Sequence, residues 1–120
     1  MDRAQIGKSA EDVACEFLQS QGLELLQRNY RRRGGELDIV ARAGEVLIIA
    51  EVRTRSTESF GGAAASVDGW KQHKIIRAAT QLLQQHKSLA QLRVRFDVVV
   101  VHEPGTQQAR VEWIQHAFDA

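Results

Sequence analysis

Residues 93–102 read R-V-R-F-D-V-V-V-V-H, and this run constrains the fold more than any other part of the chain. Four consecutive valines leave no polar side to face water. Such a run predicts a central strand covered on both faces. The segment before it carries Ile75, Ile76, Ala79, Leu82 and Leu83 at helical spacing, from Asp68 as N-cap to about His86. A helix leading into a buried strand is a crossover connection. The strand at 93–102 is therefore expected to run parallel to an earlier strand.

Around this core the other elements follow from periodicity. Ile6, Ala10, Val13, Ala14, Phe17 and Leu18 make one helical face between Gln5 and Gln21, and Gly22 stops the helix. Leu23–Arg31 reads as a strand and Arg31-Arg32-Arg33-Gly34-Gly35 as a basic turn. Glu36–Ala43 and Glu45–Arg53 read as two strands of an antiparallel hairpin turning at Ala43-Gly44. Alternation puts Leu37, Ile39 and Ala41 on one face, with Glu36, Asp38, Val40 and Arg42 on the other. In the next strand Leu47, Ile49, Glu51 and Arg53 share a face. Thr54–Val67 is rich in Ser, Thr, Gly and Ala and reads as a mobile loop. After a turn at Glu103-Pro104-Gly105-Thr106, Ala109–Ala117 forms a last strand. The expected fold is α/β in the order α-β-β-β-α-β-β, a central mixed five-stranded sheet flanked by helices. At 120 residues it is a single domain, 1–120.

Composition narrows the setting. No segment approaches the roughly 20 apolar residues that span a bilayer, so no membrane partner is expected. The start lacks the apolar run of a signal peptide, and the lone Cys15 cannot form an internal disulfide; both fit a cytoplasmic protein. Cys15, beside Ala14 and Phe17, reads as a small buried hydrophobe. His73, His86, His102 and His116 have no zinc-ligand spacing and read as surface residues. Residues 28–77 carry ten Lys and Arg against six Asp and Glu, whereas residues 1–27 are net acidic. A basic middle suits a polyanion such as DNA through Arg31, Arg32, Arg33, Arg55, Lys71 and Lys74; it also suits a solubilising surface.

Within the hairpin, Glu36, Asp38 and Glu51 interrupt apolar strand sequence, and carboxylates there need compensation. Two readings are open: a divalent cation, or a solvated sheet face crossed by salt bridges. Asp38 and Glu51 lie at similar distances from Gly44 and converge near the open end of the hairpin. With the backbone carbonyl of Val52 they can supply three oxygens to Mg2+ or Mn2+, which favour carboxylates, water and phosphate. Arg53, on the face of Glu51, is placed to stabilise charge on a phosphate. Trp70, with Lys71 and Lys74 in the first turns of the second helix, reads as a packing anchor in preference to a base-stacking group.

Several motifs occur in order: G-K-S-A-E-D-V-A, G-G-E-L-D-I-V-A-R, I-A-E-V-R-T-R-S, W-K-Q-H-K-I-I-R-A-A and R-F-D-V-V-V. In these the chain resembles the YraN family of bacterial proteins over nearly its whole length. That family is similar to archaeal Holliday-junction resolvases of the restriction-endonuclease-like superfamily. The resemblance implies a metal-dependent endonuclease acting on DNA, including branched or damaged DNA. Its catalytic set, an acidic residue on the first helix, an Asp and an E-x-K motif, falls on Glu11, Asp38 and Glu51, with Arg53 at the lysine position. Glu36, in the G-E-x-D element, is a supporting group or a ligand. By analogy with resolvases a homodimer is implied. Arginine stays protonated and clamps phosphate but cannot act as a base. The departure at Arg53 keeps open a catalytically silent nucleic-acid-binding module on the same fold. The near-neutral net charge of +1 keeps open a protein-interaction subunit.

Overall fold

A computed structural model describes residues 3–56 and 67–120, with side chains from Ala10 onward. Helix α1 (Arg3–Ser20) precedes strands β1 (Glu24–Arg32), β2 (Gly35–Ala43) and β3 (Val46–Arg55). Helix α2 (Gly69–Gln85) and a 3-10 turn (Lys87–Leu89) lead to β4 (Arg93–His102) and β5 (Arg110–Phe118). The five strands form one mixed sheet in the order β1-β2-β3-β4-β5. Only β3 and β4 run parallel, from Val46↔Arg93 to Arg55↔His102. The crossover inferred from the valine run is therefore present. Val98, Val99, Val100 and Val101 are fully buried, alternating between the two sides of the sheet.

Each side has its own core. Helix α2 covers Leu37, Val40, Leu47, Ile49, Phe96, Val98 and Val100 with Ile75, Ala78, Ala79 and Leu82. Helix α1 covers Ile39, Ala41, Ile48, Ala50, Val99 and Val101 with Ala10, Ala14, Cys15 and Leu18. Cys15 is buried, as its apolar neighbours imply. Helix α1 ends in a Schellman motif: Leu23 N–H donates to the Leu18 carbonyl and Gly22 N–H to that of Gln19, with Gly22 at φ 90°. Helix α2 is capped by Asp68, whose side chain accepts from Lys71 N–H at 2.8 Å.

Four expectations need correction. The β2–β3 turn is Gly44-Glu45, because Ala43 pairs with Val46. Thr54 and Arg55 belong to β3, paired with Val101 and His102, and not to the loop expected over 54–67; residues 57–66 lie outside the described residues. Alternation along β2 slips at Asp38: Leu37 and Val40 face α2, whereas Ile39 and Ala41 face α1. Across from Asp38, between the pairs Arg28↔Ile39 and Tyr30↔Leu37, Asn29 sits at φ 51°, where a short polar side chain is tolerated. Finally, His102 is buried at 7% exposure and its Nε2 meets Glu112 Oε1 at 2.9 Å, so it is not a surface histidine.

The basic turn between β1 and β2 is docked on α2. A Cβ on Gly35 would lie 2.3 Å from the Lys74 backbone oxygen, a distance only a glycine avoids. Tyr30 Oη donates to Gln85 of α2 at 2.8 Å. This contact brings the start of β2, and hence Asp38, to the flank of α2.

Candidate metal and phosphate site

The regular β2–β3 ladder ends at Ile39↔Ala50. One step beyond, the Asp38 carboxylate takes the place of a ladder partner, its Oδ2 accepting from Val52 N–H at 2.9 Å. This bond turns Asp38 edgewise, towards the β3 backbone. In an extended strand the N–H and C=O of one residue project to the same side, so the Val52 carbonyl faces the same gap. Glu51, beside Val52, projects into the α2 side and is only 5% exposed. Its Oε1 pairs with Lys71 Nζ at 3.3 Å. Burial, and next the neighbouring Asp38 charge, push the Glu51 carboxyl up from 4.5 to about 7, against the opposing pull of Lys71. Glu51 Oε2 is buried with no hydrogen-bond partner among the described residues. The same holds for Nε of Arg53, two residues along the strand.

These two orphans have opposite character. A buried carboxylate oxygen without a donor fits a cation, and a buried guanidinium N–H without an acceptor fits an anion. Among the described residues no group of three or more His, Cys, Asp and Glu side chains gathers as a metal cage. A carboxylate pair plus one carbonyl still fits Mg2+ or Mn2+, which complete their coordination with water and substrate phosphate. Asp38, Glu51 and Val52 are the residues that would hold it.

The remaining sequence candidates are distributed around this pair. Glu11 lies on the α1 side, where its Oε2 accepts from Asn29 Nδ2 at 3.3 Å and sits 3.7 Å from Arg28. Asn29 lies across from Asp38 on β1, so Glu11 is held on the α1 side by Asn29 and Arg28 and is not brought into the carboxylate pair. Glu36 is ion-paired to Arg31 at 3.4 Å on the exposed rim. Arg32 lies over the Tyr30 ring, 4.2 Å from its centroid, and donates to Gln85. Arg33 is exposed, Arg55 half-buried at the end of β3, and Lys74 lies 5.3 Å from the Trp70 ring centroid. Lys71 is the exception: it contacts Glu51 of the carboxylate pair.

The sequence profile of the uncharacterised protein family UPF0102 matches residues 10–101. The chain belongs to this family. UPF0102 is the family also called YraN, so the motif resemblance and the profile agree. The chain is 48% identical over 113 residues to a UPF0102 protein of Aeromonas hydrophila, covering 93% of this chain and 83% of that one. A UPF0102 protein of Stutzerimonas stutzeri is 45% identical over 114 residues, covering 95% and 94%. One from Nitrosomonas europaea is 43% identical over 113 residues, covering 94% and 92%.

Sequence reasoning missed two features of this UPF0102 chain. Asp97, within the valine run, is fully buried and accepts from Arg95 Nε and Nη2 at 2.9 Å, Trp113 Nε1 at 2.8 Å and His116 N–H at 2.9 Å. It anchors the irregularity where Phe96 pairs with Phe118 but Val98 with Ile114, and where His116 takes φ 54°. The signal was present: an Asp two residues after Arg95 inside an apolar run. The second is Trp70, which is 67% exposed and so is not a packing anchor. A groove of about 410 Å³ between α2 and the sheet, lined by Ile76, Leu83, Val94, Phe96 and Phe118, includes none of the site carboxylates. No described helix is long and apolar enough to cross a membrane.

Proposed function

We propose that this UPF0102 chain is a divalent-cation-dependent endonuclease that hydrolyses phosphodiester bonds in DNA, branched or damaged DNA included. The observation that carries this reading is the pair of opposite orphans, Glu51 Oε2 and Arg53 Nε, beside Asp38. When bound, a divalent cation polarises the phosphodiester and lowers the pKa of an attacking water. The chain's own residues do the rest. Val52 N–H fixes the Asp38 carboxylate. The Arg53 guanidinium, always protonated, binds phosphate oxygen and stabilises its growing charge. Lys71 pairs with Glu51 at 3.3 Å; a cation held there would replace it and leave its ammonium to a phosphate. Arg33, Lys74 and Arg77 add positive charge near the β1–β2 turn and α2, and are suited to the strand flanking the bond. With Mg2+ or Mn2+, the purified protein should cut junction, flap or single-stranded DNA, and Asp38→Ala should abolish cutting. Cutting that persists in both Asp38→Ala and Glu51→Ala would show that these carboxylates are not the cutting centre.

A second reading has its own observation. The Lys71–Glu51 ion pair at 3.3 Å already compensates half of the carboxylate pair, and Arg53 cannot serve as a base. These favour a nucleic-acid-binding module without turnover. Salt-sensitive DNA binding that survives Asp38→Ala, with no cleavage under either metal, would select it.

A further inference from the structure

We infer that Trp70 is a stacking platform that seats an unpaired nucleobase beside the carboxylate site. This rests on the reading of Asp38, Glu51 and Arg53 as a phosphodiester site and adds the substrate class. Among the described residues Trp70 is the one large hydrophobic side chain left exposed, at 67%. It precedes Lys71, whose Nζ reaches Glu51 at 3.3 Å, so neighbouring positions in the first turn of α2 send a lysine to the carboxylate and an indole to solvent. The indole is not loose. It stacks on His73 at 5.9 Å between ring centroids and 22° between planes, and Lys74 Nζ lies 5.3 Å from its centroid. One turn of α2 thus holds an aromatic plane and exposes it to solvent.

The surroundings decide the partner. Lys71, Lys74 and Arg77 lie on the same stretch of α2 as Trp70, and Arg33 is exposed on the docked β1–β2 turn. An apolar protein surface closing over this ring would strip water from those cations. A polynucleotide presents the matching combination, an aromatic face for Trp70 and phosphates for the lysines and arginines. Bases inside a duplex already have both faces stacked. The base on Trp70 is therefore unpaired, as in single strands, flaps, junction centres or damaged sites.

Binding is tested in EDTA, where cleavage cannot contribute. The probes are a fluorescein-labelled oligo-dT of about 15 nucleotides and an abasic strand of equal length and charge. The wild-type chain should bind the base-bearing strand on the order of tenfold more tightly. Trp70→Ala should bind both strands alike, with its affinity for the abasic strand unchanged, and Trp70→Phe should keep most of the preference. Equal binding of the two strands by the wild type, or a preference intact in Trp70→Ala, overturns the platform. Binding of neither strand overturns both the platform and the phosphodiester site. Base preference without cleavage under Mg2+ or Mn2+ upholds the platform and refutes the nuclease.

Discussion

Replacing Glu51 by Gln should make the metal-free protein relatively more stable as pH rises. Glu51 is 95% shielded from solvent and its carboxyl is pushed up from 4.5 to about 7, first by burial and then by Asp38. For an acid with a raised pKa the folded state favours the protonated form. The penalty for ionising is absent below pH 4.5, grows between 4.5 and about 7, and is complete above that. At about 1.4 kcal/mol per pKa unit it reaches about 3 kcal/mol, of which about 2.5 kcal/mol develops between pH 5 and pH 8. Glutamine keeps the shape and carries no charge, so it escapes the penalty. Its loss of the Lys71 pair is a small term, because Lys71 is 38% exposed. Urea unfolding of wild type and Glu51→Gln in EDTA at both pH values reads the difference. Glu51→Gln should gain about 2.5 kcal/mol on wild type in going from pH 5 to pH 8. A gain below about 0.5 kcal/mol, or a relative loss, would refute the picture of a buried Glu51 carboxyl that Lys71 compensates only in part.

Asp97→Ala should cost about 3 kcal/mol or more in the same assay, since it strands Arg95 and unties Trp113 and His116. Trp113 fluorescence should report the loosened end of β5. Gly35→Ala should cost about 1–3 kcal/mol in thermal or urea melts, because its methyl meets the Lys74 backbone oxygen. DNA affinity measured against salt should fall with a log–log slope of about −0.9 per phosphate contacted, and the triple variant Arg33→Ala, Lys74→Ala, Arg77→Ala should flatten it by about 2 to 3.

The sheet and helix order was legible because it depends on periodicity summed over many residues. The valine run demanded cover on both faces, and both helices supply it. Gly22 and Asp68 act at the helix ends through local hydrogen bonds that sequence alone implies. The meeting of Asp38 with Glu51 followed from the hairpin arithmetic. What escaped depends on single backbone angles or on long-range packing. The left-handed Asn29 accompanies the shift in the faces of β2, and an asparagine inside a strand is its only sequence signal, too weak to fix a single backbone angle. Lys71 reads as a surface cation until α2 is docked on the sheet, when it reaches Glu51. Trp70 reads as an anchor because an exposed indole is disfavoured on average, an average that binding surfaces routinely violate.

Whether Asp38 and Glu51 hold a divalent cation is read by calorimetric titration with Mn2+ at pH 8. The wild type should show one site, lost in both Asp38→Asn and Glu51→Gln. Binding should weaken, with proton release, as pH falls below about 7. No Mn2+ binding by the wild type, or binding unchanged in both variants, would contradict a cation held by this pair.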